Sequence, residues 1–246
     1  MSILVTRPSP AGEQLVNRLL ACGKFACHLP LIDFLPGSEL PLLVQRLDTL
    51  SDGDLLFIIS QHAIHYAHHW LVQLGVPWPS RLLYYAVGRT SGRLLYHLGG
   101  LSVNYPHEGE TSEDLLRLPS LASIQGRQAL ILRGNGGREM LQQTLRQRGV
   151  QVEICECYRR CPVRYDGEEQ GRRMVALGID TLVITSGEML YQFYTLLSKY
   201  YSNFWLMQCR LIVVSERLAM LARQLGWTDI IVANAADNDA LMRVLL

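Results

Sequence analysis

Several protein classes are excluded by what this chain lacks. No apolar run approaches the roughly 20 residues of a membrane span. No basic stretch followed by an apolar one precedes the strand pattern that begins at Ile3. Charge of one sign is missing too: 23 Lys plus Arg face 22 Asp plus Glu, a net charge of +1. That balance gives no electrostatic reason to expect nucleic acid or an anionic membrane as partner. The six cysteines, Cys22, Cys27, Cys155, Cys157, Cys161 and Cys209, form no CxxC and no Cys/His pairing of zinc spacing. No GxSxG elbow marks a serine hydrolase. These absences predict a soluble cytoplasmic protein with free thiols. Hydrophobic residues at 49% and charged residues at 18% predict a folded globular chain.

What is present is a repeat. Ile3-Leu-Val-Thr-Arg7 reads against Ala129-Leu-Ile-Leu-Arg133, an offset of 126 residues. At the same offset Glu13 falls on Glu139, Gly23 on Gly149, and Asp54-Leu-Leu-Phe-Ile-Ile-Ser60 on Asp180-Thr-Leu-Val-Ile-Thr-Ser186. Each copy has the usual size of one domain. Two copies of one α/β unit imply two similar lobes, and a cleft between lobes is the default place for a ligand.

Within each copy, short apolar runs alternate with helical periodicity. Strands are expected at 3–7, 25–32, 55–60, 83–88 and 102–106, and near 129–133, 151–158, 181–186, 210–214 and 229–233. Helices are expected at about 10–22, 39–50, 61–74, 89–98 and 111–118. Continuous apolar strands such as Leu55–Ile59 suggest sheets covered on both faces. The fold class is therefore α/β, with two similar doubly wound, parallel, five-stranded domains. Ser9-Pro10 reads as an N-cap before a first-turn proline, and Thr111 with Asp114 as a capping box. Gly23 and Gly149 stand where helices must stop. Phe25–Phe34 and Gln151–Val163 stay extended beyond the usual strand length. They either cross from one lobe to the other or belong to two simple tandem domains.

The candidate chemistry sits at strand ends, where ligands of such sheets gather. Arg133-Gly-Asn-Gly-Gly-Arg138 follows a strand and opens a helix. It reads either as a carboxylate-binding loop, with amides of Gly134 and Gly136 facing an anion, or as a tight turn. Glu139 stands where a dinucleotide fingerprint needs glycine, and the Walker Lys-Ser/Thr pair is missing. Arg7 repeats the arginine of Arg133, and guanidinium suits carboxylates. Ser60-Gln61 and Thr185-Ser186 end equivalent strands and either face a ligand or cap helices. Gly88 and Thr90 open another helix, with the same two readings. His65 and His69 stand at i,i+4, a spacing a metal uses, but no HExxH surrounds them; packing is the other reading. Cys155 and Cys157 share a strand face, as a metal or disulfide pair or as two small, partly buried apolar residues. Tyr158, beside Arg159 and Arg160, either donates a proton or packs the extended segment.

Taken in order and spacing, these stretches resemble the uroporphyrinogen-III synthase family of enteric bacteria across essentially the whole chain. They include Ile3-Leu-Val-Thr-Arg-Pro-Ser-Pro-Ala-Gly-Glu-Gln14, His28-Leu-Pro-Leu-Ile32, Ala129–Glu139, Cys155-Glu-Cys-Tyr158, Val183–Leu190 and Val214-Ser-Glu-Arg-Leu218. The resemblance implies two α/β lobes joined by a two-stranded crossing linker. The first domain is then discontinuous, 1–34 plus 163–246, the second is 37–160, and the linkers are about 30–37 and 157–164. It implies a linear tetrapyrrole substrate, hydroxymethylbilane, closed to a ring with loss of water and inversion of its last pyrrole. It implies no cofactor and no metal, a monomer, and a transient contact with hydroxymethylbilane synthase. The family's proton donor maps to Tyr158 and its strand-end hydroxyls to Ser60 and Ser186. In family members with a Gly-x-Thr-Thr-like helix start in the discontinuous lobe, the matching place here is Ser215-Glu-Arg-Leu218. The alternative from the residues alone is a two-lobed, non-catalytic module that binds a small anion.

Overall fold

Each apolar run of the sequence becomes a short strand whose alternate side chains feed two different cores. The structure is a computed structural model describing residues 1–137, 139–199 and 204–246. The first copy of the repeat gives β1 (Ser2–Val5), α1 (Ala11–Ala21), β2 (Phe25–His28), β3 (Ile32–Pro36), α2 (Leu43–Asp48), β4 (Leu55–Ile58), α3 (Gln61–Gln73), β5 (Leu83–Ala86), α4 (Arg89–Gly99), β6 (Val103–Asn104) and α5 (Ser112–Leu116). The second gives β7 (Gln128–Gly134), α6 (Met140–Gln147), β8 (Gln151–Pro162), α7 (Gly167–Ala176), β9 (Thr181–Val183), α8 (Gly187–Ser198), α9 (Phe204–Gln208), β10 (Arg210–Val213), α10 (Glu216–Leu225), β11 (Ile230–Val232) and α11 (Asn238–Leu245). Among the described residues no helix is long and apolar enough to cross a membrane.

The strands form two sheets, ordered β11-β10-β9-β1-β2 and β3-β8-β7-β4-β5-β6. Every pairing from β11 to β2 and from β8 to β6 is parallel. Each sheet thus draws strands from both copies of the repeat: β1 and β2 join β9 to β11, while β7 and β8 join β4 to β6. The chain divides into two compact units, Met1–Asp33 with Cys161–Leu246, and Phe34–Arg160. We call them unit 1 and unit 2. One boundary falls inside β3 and the other inside β8.

Both sheets are covered on both faces. In unit 2, Leu56, Ile58, Leu130 and Leu132 enter one core with α3, while Leu55, Phe57, Ala129 and Ile131 enter another with α6. In unit 1, Leu4, Leu182 and Leu211 face one core, and Ile3, Val5, Val183 and Ile212 the other. Continuous apolar runs are the expected consequence of a parallel sheet wrapped by helices.

Three expectations need correction. The second sheet has six strands, not five, because β3 joins its edge. The bonds Val163 N–H to Leu31 O and Gly37 N–H to Cys157 O run antiparallel and extend the ladder beside β8. The helix expected at 39–50 is a 3-10 turn, Leu40–Leu42, followed by the short α2. Ser9 does not cap α1: Pro10 is the N-cap, and the Ser9 hydroxyl donates instead to Glu13 Oε1 at 2.7 Å. The capping box at Thr111 and Asp114 is formed, with bonds in both directions. Gly23 and Gly149 take left-handed φ values of 74° and 78°, as helix stops require.

Candidate active site

Tyr158 owes its position to a break in β8. Strand β8 pairs with β7 in regular parallel register from Gln128–Gln151 to Arg133–Glu156, and then Gly134 pairs with Tyr158 rather than Cys157. The extra residue is a β-bulge. A one-residue shift moves a side chain to the opposite face of a sheet. In unbroken alternation Tyr158 would lie on the face of Ile154 and Glu156. The bulge sends it with Cys155 and Cys157 into the core beneath α3.

There Tyr158 is 3% exposed. Its ring lies over Gly134, where an added Cβ would fall 2.5 Å from the ring carbon that bears the hydroxyl. Gly134 therefore serves close approach of this phenol. Gly136 and Gly137 serve the turn itself, with φ of 74° and 107°. The turn is clasped to β8: Asn135 N–H donates to Tyr158 O at 3.0 Å, and Arg160 N–H to Asn135 Oδ1 at 2.7 Å. Arg138 lies outside the described residues.

The phenol meets the first turn of α3. Ser60 is the N-cap of that helix, and its Oγ accepts from Ala63 N–H at 3.1 Å. The Ser60 hydroxyl also donates to the Tyr158 oxygen at 3.1 Å. The capping reading of Ser60 holds, and the same side chain touches the candidate acid. Ser60 is half-buried and so is the solvent-side member of the pair. Gln61 follows it, exposed.

Three aromatic side chains surround the phenol. Tyr66 is 6.0 Å away and nearly parallel, Phe34 5.7 Å away and edge-on, and His62 5.5 Å away and tilted. Phe34 and His62 stack on each other at 3.7 Å. Burial, with the charges of Arg160 and His65, pushes the His62 imidazole down to about 4. It is a neutral ring at ordinary pH. The sequence pattern did not single out His62. The available signal was its spacing: positions 62 and 66 share a helix face.

The other site expectations fare differently. Arg133 turns inward, with its side chain 13% exposed and its Nη2 3.7 Å from Glu156; its buried Nε has no partner among the described residues. Beside it, Arg46 ties Glu39 at 2.8 Å and holds that carboxyl below its ordinary range. Gly88 is the N-cap of α4, but the chain's own Glu110 already lies there, accepting from Arg89 N–H at 3.1 Å. Thr90 is exposed in the first turn of the same helix. In unit 1, Arg7 donates to Asn238 Oδ1. It lines a surface hollow of about 570 Å³ with Gln14, Asn17, Arg18, Asp237 and Asp239. Ser186 caps α8 through Met189 N–H at 3.2 Å, and Thr185 Oγ1 sits 3.8 Å from Met189 Sδ. The structure thus gathers Ser60, Gly134 and Tyr158 in unit 2, and gives Arg7, Arg133, Gly88, Thr185 and Ser186 local partners of their own.

Among the described residues no group of three or more His, Cys, Asp or Glu is placed to hold a metal. Cys155 and Cys157 are free thiols with Sγ atoms 3.8 Å apart, both buried. His68 accepts from Trp78 Nε1 at 3.2 Å and anchors α3 rather than a ligand.

Comparison with known proteins agrees with the resemblance read from the sequence. Residues 13–243 match the family described as Uroporphyrinogen-III synthase HemD. The chain is 55% identical to the uroporphyrinogen-III synthase of Salmonella typhimurium and 54% identical to that of Escherichia coli, each over 245 residues and all of both chains. Solved structures share the α/β fold with parallel sheets at much lower identity. A mutant uroporphyrinogen III synthase from Thermus thermophilus superposes with a TM-score of 0.64 at 16% identity, covering 100% of this chain and 98% of that one. A Helicobacter pylori uroporphyrinogen-III synthetase gives 0.56 at 16%, covering 99% and 97%. The chain belongs to the uroporphyrinogen-III synthase family, cyclising lyases of haem biosynthesis.

Proposed function

We propose that this chain closes hydroxymethylbilane into uroporphyrinogen III, with Tyr158 as the acid and Ser60 as its partner. Tyr158 passes its proton to the terminal hydroxyl of the substrate, and the C–O bond breaks to release water. The cationic azafulvene left behind is stabilised by its own pyrrole nitrogens. The last pyrrole attacks the carbon that lost the hydroxyl through its substituted α-carbon to give a spiro intermediate; the bond from that α-carbon to its original bridge methylene then breaks, and the methylene rejoins at the free α-carbon, which inverts the ring. The proton lost on rearomatisation restores the phenol. The observation that carries this reading is the 3.1 Å hydrogen bond between the Ser60 hydroxyl and the phenol at the N-cap of α3. A positioned acid of this kind is worth about 10²–10⁴ in rate. The substrate also closes unaided, to the non-inverted isomer I. Holding a flexible chain in one geometry is therefore the enzyme's larger task.

The same reading takes Arg7, Arg133, Gln61, Gly88, Thr90, Gly134, Gly136, Thr185 and Ser186 as substrate-binding positions for peripheral carboxylates. Support is uneven. Arg7 lines an open hollow, whereas Arg133 would first have to leave Glu156, and Gly88 its Glu110. We take 1–34 with 163–246 as the first domain and 37–160 as the second, with crossing strands at about 30–37 and 157–164. The boundaries inside β3 and β8 support that division. A cytoplasmic monomer meeting hydroxymethylbilane synthase transiently completes the proposal.

The test is direct. The protein is incubated with freshly prepared hydroxymethylbilane, and the product isomers are separated. Isomer III above the spontaneous background is expected. Isomer I alone would favour a module that binds anions without catalysis.

A further inference from the structure

We propose that His62, stacked on Phe34, is a positioning residue that holds the Tyr158 hydroxyl against Ser60; the inference rests on Tyr158 being the acid. No charge or hydrogen bond links His62 to the phenol, so the argument is one of shape. A tyrosine ring can turn about its own axis and lean about its strand. Gly134 sets one limit, since its missing Cβ is the space the phenol end of the ring occupies. Tyr66, nearly parallel at 6.0 Å, sets a second. His62 and Phe34 close the remaining side as a stacked pair at 3.7 Å, both within 6 Å of the phenol.

The pair is itself fixed from two elements. His62 rides in the first helical turn with Ser60, so imidazole and hydroxyl move as one body. Phe34 lies on β3, and its carbonyl accepts from the Tyr66 hydroxyl at 2.6 Å. Helix α3 thereby grips Tyr158 through Ser60, His62 and Tyr66, and grips β3 through His62 and Tyr66. Truncating the imidazole opens a gap beside Ser60 and releases Phe34 from its stack. Tyr158 then gains freedom in the direction that lengthens its bond to Ser60. A displacement of about 1 Å in a reacting group can cost 10²-fold in rate. The neutrality of His62 above about pH 4 fits a packing role and leaves the phenol as the local acid.

The experiment measures kcat and KM for isomer III formation in His62→Ala, His62→Phe and His62→Leu, alone and combined with Tyr158→Phe. Thermal unfolding is followed in parallel. His62→Ala is expected to lower kcat about tenfold, with KM within about twofold. His62→Phe restores a planar face and brings kcat back to within about twofold of the parent. If His62→Ala folds poorly, His62→Leu fills the volume without a planar face and carries the same expected loss. In the Tyr158→Phe background His62→Ala adds no further loss, because the hydroxyl it positions is gone. Unchanged kcat in both His62→Ala and His62→Leu, with Tyr158→Phe slow, overturns the positioning role and leaves the acid in place. A full additional loss in the double variant also overturns it. Unchanged turnover in Tyr158→Phe overturns the acid itself, and His62 with it.

Discussion

Units 1 and 2 are built on one plan but carry largely different residues on it. Their parallel ladders run β2-β1-β9-β10-β11 and β8-β7-β4-β5-β6, copy for copy. Ser186 and Ser60, 126 residues apart, cap equivalent helices through the amide three residues on. Gln192 and Tyr66, at the same offset, both reach out to a carbonyl near or on β3, Leu31 O at 2.6 Å in one unit and Phe34 O at 2.6 Å in the other. Where unit 2 has Tyr158 over Gly134, unit 1 has Ile32 and Pro8; where unit 2 has His62, unit 1 has Glu188. What the copies share is what any sheet wrapped by helices needs. The Tyr158, Gly134 and His62 arrangement is one of the places where they differ.

The largest expected effect comes from removing a single oxygen. Tyr158→Phe should slow isomer III formation about a hundredfold while leaving KM little changed, whereas Ile32→Val in unit 1 should leave the rate within twofold. Equal behaviour of the two variants would erase the distinction between the copies. Gly134→Ala comes next. Its new methyl meets the Tyr158 ring, and overpacking of this sort costs about 1–3 kcal/mol, read in a denaturant titration. Activity should fall with it, and Pro8→Ala should not reproduce that fall.

Ser60→Ala and Ser186→Ala sharpen the comparison further. Each removes an N-cap worth about 1 kcal/mol, so their unfolding midpoints should drop alike. Only Ser60→Ala should also lower kcat, because only Ser60 touches a phenol. The smallest effect is a slope with pH. His62 takes up a proton near 6.5 when unfolded but only at about 4 when folded, through burial and the charges of Arg160 and His65. Stability should therefore fall as pH drops from 6.5 toward 4. His62→Phe should flatten that part of the curve, measured as denaturant midpoints at pH 7 and pH 5.

Much of this architecture was legible in the residues. The alternation of apolar runs and helical periods located strands such as Leu55–Ile58 and Leu211–Val213, because a sheet buried on both faces leaves few polar positions to confuse the pattern. Left-handed glycines and the capping box at Thr111 were legible because their chemistry is local. The edge strand β3 was not. Its place in the sheet depends on a partner some 120 residues away and on where Pro36 ends it. The site was half legible. Ser60 and Tyr158 could be named, but the bulge that brings them together arises from pairing between β7 and β8, and nothing in Cys155-Glu-Cys-Tyr158 announces it. The partners of the arginines were not legible, for a related reason. A guanidinium at a strand end suits a ligand carboxylate, yet it suits Glu156 or Asn238 equally, and those partners appear only on folding.

The crossing of the two repeats also sets an order of events during synthesis. Strands β4 to β8 lie on one unbroken stretch, so unit 2 can assemble once residue 160 has left the ribosome. Strand β1, made first, must wait for β9, its neighbour in the sheet. The N-terminal β-α-β unit of β1, α1 and β2 thus stays without its partner until the last third of the chain emerges. Pairing over such separations is slow. A nascent chain that has emerged as far as residue 165 would carry one finished unit and one exposed, waiting edge.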